Sequence, residues 1–137
     1  MKLAPGESSP PVQVHSRKIW NATGIEVAAG ERYAFRAQGE WTDFTIDASP
    51  KGYATMEAPG LSRKFLSFFE HARRMPGANW FALIGAIGQD ETSAFLIGER
   101  REDWEATGNG ELMCFANDVR MAYFNNCGSV TLTITRR

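Results

Sequence analysis

"TGIEVAAGERYAFRAQGEW", residues 23–41, decides the fold. Ile25 and Val27 alternate with polar neighbours, "AAGE" supplies a turn, and Tyr33, Phe35 and Ala37 fall on one face of the segment that follows. Side chains of a strand alternate between its two faces, so this stretch reads as a strand, a tight reversal and a second half-buried strand. The same signals recur on either side. "VQVH" (12–15) alternates and fits a first, edge strand. "NWFALIGAIG" (79–88) reads as a strand buried on both faces, and "TSAFLIG" (92–98) as the next one after a "GQDE" turn. "GELMCFAN" (110–117) and "GSVTLTITR" (128–136) are two more. Closely spaced turns between runs rich in β-branched and aromatic residues predict an all-β fold. The expected architecture is an antiparallel jelly-roll β-sandwich rather than a βαβ protein.

One segment carries a different period. In "GLSRKFLSFFEHARRM" (60–75), Leu61, Phe65, Phe68, Phe69 and Ala72 stand at helical spacing, with Arg63, Lys64, Glu70, Arg73 and Arg74 on the other side. Arg73 and Arg74 suit a helix C-terminus, and "MPG" then stops the helix. The spacing predicts one inserted helix near 61–74, its phenylalanine stripe packed into the core.

A chain of 137 residues fits one domain, expected over 12–137, after a loose N-terminal arm at 1–11 that is rich in Pro, Ser and Gly. A net charge of −1 gives no electrostatic footprint for nucleic acid or an anionic membrane. "MKLAPGESSPPV" contains no apolar signal-peptide core, and no run is long enough to span a bilayer. The expected location is cytoplasmic, or outside the cell after release without a visible signal peptide. Cys114 and Cys127, the two cysteines, are expected as free thiols.

The last two strands are joined by a loop longer than a reversal requires, inside "NDVRMAYFNNCGSV" (117–130). It gathers Asn117, Asp118, Asn125 and Asn126. A carboxylate, amide oxygens and the carbonyls of a tight loop are the mixed oxygen set that Ca²⁺ takes at six to eight positions. Zinc would require His or Cys at metal spacing, which is absent, and Mg²⁺ demands stricter octahedral geometry. Asn and Asp also serve turns without any metal.

"NDVRMAYFNNCGSVTLTI" (117–134) resembles the C-terminal calcium loop and last strand of the PA-IL-like (LecA-like) galactophilic lectins of bacteria. The shared pattern is Asn-Asp, six residues, Asn-Asn, one residue, Gly-Ser and a strand. "TGIEVAAGE" resembles the opening of that family, "GERYAFRAQGEW" (30–41) its second strand and Gly-Trp segment, and "FALIGAIG" (81–88) its central strand. The resemblance implies a small jelly-roll sandwich and a calcium-dependent carbohydrate-binding protein, in which a loop-held Ca²⁺ meets two hydroxyls of a galactose-type sugar. By position it implies Asp118 as carboxylate ligand and Asn125 and Asn126 as amide ligands. It further implies carbonyl ligands from Ala122 and from Phe44, or from Asp43 if the alignment slips by one. Asp118, Val119, Asn125 and Phe44 are the positions expected at the sugar. A lectin of this kind gains avidity from linked sites, so a homo-oligomer is expected.

The chain departs from that pattern over 45–78, which is longer, carries the helical spacing, and lacks an alignable His-Pro-x-Gln motif; His71 falls inside the expected helix. Arg120, Met121 and Phe124 replace small loop residues. Among the tryptophans, Trp41 and Trp80 are expected in the core, and Trp104, in the polar "REDWEATGNG", is the one expected at the surface. "ERRED" (99–103) reads as a solvated turn. Only His15 and His71 are bases of the neutral-pH type. There is no G-x-S-x-G elbow or phosphate loop, and no carboxylate pair is placed across a cleft, so no enzyme is expected. The second functional reading is a structural or protein-interaction sandwich in which the loop is a turn or a stabilising calcium site.

Overall fold

The computed structural model describes all 137 residues. Eleven strands run in the order β1 (Val12–His15), β2 (Asn21–Val27), β3 (Arg32–Gln38), β4 (Trp41–Asp43), β5 (Ile46–Ala48), β6 (Lys51–Tyr53), β7 (Trp80–Ile87), β8 (Phe95–Leu96), β9 (Arg100–Glu105), β10 (Gly110–Ala116) and β11 (Asn126–Arg136). One α-helix, α1 (Gly60–Phe68), lies between β6 and β7. The strands form two antiparallel sheets. One has the order β5-β4-β11-β3-β9, with β1 also on β11; the other has β2-β10-β7-β6, with β8 also on β7. The chain is an all-β sandwich, as the alternation in 23–41 predicts.

The faces follow the sequence. In β2 the even-period residues Asn21, Thr23, Ile25 and Val27 are buried, and in β3 Tyr33, Phe35 and Ala37 are. They meet Leu112, Leu132, Ile134 and Trp41 in one continuous core between the sheets. Every residue of β7 is buried, because its outer face is covered as well. Ala82 and Ile84 pack with Phe115 beneath Trp20 and Met75. Cys114 is buried and Cys127 exposed, and both are free thiols.

Several expectations are corrected. Residues 1–11 are tied to the domain: the Gly6 and Ser9 amides donate to the carbonyls of Arg136 (2.8 Å) and Ile134 (2.7 Å), and Leu3 is buried. The backbone secures this segment along the β11 edge, which its Pro- and Ser-rich composition does not reveal. "ERRED" is no turn but most of β9, an edge strand paired with β3. Its charges face solvent, as edge strands require, and only Trp104 turns inward. Trp104 is therefore core, stacked on Phe95 at 4.0 Å between ring centroids. The expected helix is shorter than 61–74, since α1 ends at Phe68 and a 3₁₀ turn covers Glu70–Ala72. Its phenylalanine stripe is not core either: Leu66 alone of α1 is buried, while Leu61, Phe65 and Phe68 are exposed. The sandwich closes its core without them.

Candidate functional site

The loop 117–125 and the β4–β5 hairpin meet because β11 pairs with β4 at its first residues, Asn126 opposite Asp43 and Gly128 opposite Trp41. Gly128 has φ +88°, and a Cβ there would stand 3.2 Å from the Trp41 Cα. Only glycine lets the two backbones approach so closely in this conformation. The hairpin turns at Phe44, whose φ of 57° is rare for an aromatic residue. Its amide donates to the Asn125 carbonyl at 3.2 Å, which holds the turn against the loop.

Between these segments lies a cavity of about 420 Å³. Asp43, Tyr53, Asp118 and Asn125 give it a polar floor; Phe44, Leu61, Phe65 and Phe124 are prominent in its apolar wall, and Ala122 also lines it. The structure thus brings together Asp118, Asn125, Ala122 and Phe44 of the expected site. Asn126 is buried beside them, opposite Asp43. Val119 does not line the cavity; its side chain leans on the core. His71 is exposed, sits in the 3₁₀ turn and lies outside the cavity lining.

Three oxygens in this region are buried and accept no hydrogen bond: Asp118 Oδ2, Asn125 Oδ1 and Asn126 Oδ1. Their other side-chain contacts hold two of them in place. The Val119 amide donates to Asp118 Oδ1 at 2.7 Å, and Asn126 Nδ2 donates to the Ser16 carbonyl at 3.0 Å. Buried polar atoms without partners are rare, and each calls for a reason. Three acceptors without a hydrogen bond in one region fit a cation, although the Asn126 side chain also acts on Asp118 as a hydrogen-bond partner; the fourth buried atom without a partner is a donor, Arg74 Nη2. Nowhere do three His, Cys, Asp or Glu side chains converge, so this donor set is carboxylate plus amide, the hard-oxygen chemistry of Ca²⁺ rather than of zinc.

The electrostatics agree with that fit. Burial, then the charge of Asp43, push the Asp118 pKa up to about 7. Burial also raises Asp43, although Tyr53 donates its hydroxyl to Asp43 Oδ2 at 2.6 Å. Two buried carboxylates near one another resist joint ionisation, and a positive charge between them would relieve both. The Asp43 side chain and Tyr53 are members of the site that sequence reasoning missed. The signal was available in "WTD", where period-two alternation puts Asp43 on the same inward face as Trp41.

Asn117 has a different role from its neighbours. Its amide nitrogen donates to the carbonyls of Met75 (2.9 Å), Ala78 (3.2 Å) and Asn79 (3.0 Å), and its oxygen accepts from the Met75 amide at 3.0 Å. It ties the 75–79 turn to the loop and has no oxygen to spare. Arg74 braces the same junction. Its side chain is buried between Trp20, Phe115 and Tyr123 and donates to Glu91 (2.8 Å), the Ile19 carbonyl (2.6 Å) and the Tyr123 hydroxyl (2.8 Å). Glu91 also pairs with Arg120 of the loop at 2.6 Å. Burial opposes ionisation of Glu91, but the bonds from Arg74 and Arg120 outweigh it and lower its pKa.

No protein-family profile matches the chain, and no curated protein does. Among solved structures, one described as the EclA N-terminal domain, a PllA-like lectin, superposes with a TM-score of 0.66 at 19% identity. The match covers 93% of this chain and 95% of that one, so the two share their fold over nearly their whole lengths.

Proposed function

We propose that this protein is a calcium-dependent carbohydrate-binding protein, with galactose-type sugars as its first ligands. The observation that carries the reading is the set of unpartnered oxygens on Asp118, Asn125 and Asn126. Asp118, Asn125 and Asn126 would hold the ion with their side chains, and Ala122 and Phe44 with backbone carbonyls. When bound, Ca²⁺ supplies a hard cation to which neighbouring hydroxyls of a sugar coordinate. The protein's own part is preorganisation. Val119 and Ser16 fix the Asp118 and Asn126 side chains, the Asn125 carbonyl fixes the Phe44 turn, and Tyr53 orients Asp43. The shared fold with a structure described as a lectin supports the reading, as does the Asn-Asp…Asn-Asn…Gly-Ser pattern that carries the family resemblance. Neither histidine lines the cavity, which favours equilibrium binding over catalysis. Single sugar contacts are weak, so the reading includes a homo-oligomer that gains avidity.

The test is retention on immobilised galactose and on a panel of other immobilised sugars, with CaCl₂ and with EDTA. Retention on a sugar in calcium, released by EDTA and absent in Asp118→Ala, is expected. Failure to bind any sugar in either condition overturns the proposal.

A further inference from the structure

We propose that the site takes an amphiphilic glycoside, its sugar on the polar floor and an apolar aglycone along the wall that α1 builds; this rests on the carbohydrate reading above. The cavity has two kinds of lining. Asp118 and Asn125 offer unpartnered oxygens, and Leu61 and Phe65 of α1, with Phe44 and Phe124 beside the polar groups, offer apolar side chains. Leaving Tyr53 with the polar floor, seven of the twelve lining residues are hydrophobic, and α1 supplies three of them, Leu61, Phe65 and Leu66. A volume of about 420 Å³ lies in the range of roughly 300–1,000 Å³ that holds drug-sized ligands, beyond the needs of a single sugar ring.

The wall also continues outward. Phe65 contacts Phe69 at 4.6 Å between centroids, and Phe69 contacts Phe68 at 5.2 Å, so an unbroken aromatic strip leads from the cavity along α1. Leu61 is 90% exposed and Phe68 84%. A nine-residue helix that buries only Leu66 and turns its other large apolar side chains to solvent gains little for the fold. These side chains adjoin unpartnered oxygen acceptors, which fixes the kind of molecule that covers them. It carries hydroxyls at one end and hydrocarbon at the other. A purely apolar ligand would leave the acceptors unmatched, and a free monosaccharide would leave the wall wet.

The experiment is calorimetric titration of calcium-loaded protein with methyl and octyl galactosides of each anomer, the octyl compounds below their micelle concentration. It is repeated in EDTA and on Phe65→Ser and Leu61→Ser, whose exposed positions spare the core. The octyl compound is expected to bind at least about tenfold tighter than the methyl one. In both variants the octyl-to-methyl ratio falls towards one. Equal affinities in the wild type overturn the aglycone site and leave the carbohydrate reading standing. Octyl binding that persists in EDTA while the methyl compound never binds overturns both, because the cavity then takes hydrocarbon alone. Absence of binding by either compound overturns the proposal as well. Sedimentation of the same proteins covers the remaining occupant. A dimer that Phe65→Ser dissociates, together with no octyl preference, assigns the face to a second copy of the chain and overturns the proposal.

Discussion

Asp43 of β4 and Asn126 of β11 are direct partners in the antiparallel register of the two strands. That single pairing sets the hairpin turn at Phe44 against the end of the 117–125 loop. It also places two carboxylates, Asp43 and Asp118, in one buried region, where burial raises both and the charge of Asp43 raises Asp118 further. The site's fit to a cation follows from strand register as much as from the loop.

The pH dependence of the metal-free protein follows from Asp118. Its pKa in the fold is about 7, above the ordinary carboxylate value of 3.8, with burial the first cause and Asp43 the second. A group whose folded pKa exceeds its unfolded one takes up protons on folding. Its stabilisation is complete below about pH 4 and is lost as the pH rises through about 7. Thermal unfolding in EDTA is expected to show Asp118→Asn gaining on the wild type across that window. Two parallel pH profiles contradict the assignment. Under the proposed calcium reading, an ion held by Asp118 displaces the same proton, so its affinity is expected to fall roughly tenfold per pH unit below about 7.

Asn117→Ala removes four hydrogen bonds to the 75–79 turn; the Met75 amide loses its partner, while the Met75, Ala78 and Asn79 carbonyls keep donors from the Ala78 amide, Arg73 and the Ala82 amide. The expected loss is about 1–3 kcal/mol, measured by urea unfolding. A change below about 0.5 kcal/mol would show that water replaces the side chain without cost.

Arg74 and Arg120 both pair with Glu91 but differ in burial, which separates their effects. Arg74→Ala abandons a buried brace and is expected to cost about 3 kcal/mol or more, since its carbonyl and hydroxyl partners lose their donor. Arg120→Ala breaks an exposed pair and costs about 1 kcal/mol at most. Chemical denaturation of the two variants checks the ranking, and equal losses contradict it.

Trp104 lies between Tyr33, Phe35 and Phe95 in the core. Trp104→Ala is expected to cost about 3–5 kcal/mol. A loss under about 1 kcal/mol in denaturant midpoints would return this side chain to the surface.

Where the sequence was legible, a period could be counted. The strands of 23–38, 80–87, 110–116 and 126–136 are long enough to show alternation or a continuous apolar run. β4, β5 and β6 have three residues each and were not read as strands, so around Asp43 the sequence reading reached Trp41 and, through the resemblance, a carbonyl of Phe44 or Asp43, but not the Asp43 side chain. β9 disguised itself because an edge strand keeps its charges outward. For α1 the period was correct and its meaning was not. A helical stripe shows which residues share a face, not whether the core has room for it. Asp118, Asn125 and Asn126 were named in the sequence from the resemblance, and the structure leaves one buried oxygen of each without a hydrogen bond. Asn117 stood with them in sequence, yet its amide is consumed by the 75–79 turn, which only the tertiary structure shows.

The most direct measurement is a calorimetric titration of metal-stripped protein with CaCl₂, run in parallel on Asp118→Asn, followed by galactose into the calcium-loaded wild type. The account predicts saturable calcium heat in the wild type, none in the variant, and a sugar heat that appears only after calcium. Calcium heat unchanged in Asp118→Asn, or no calcium heat in either protein, would contradict it.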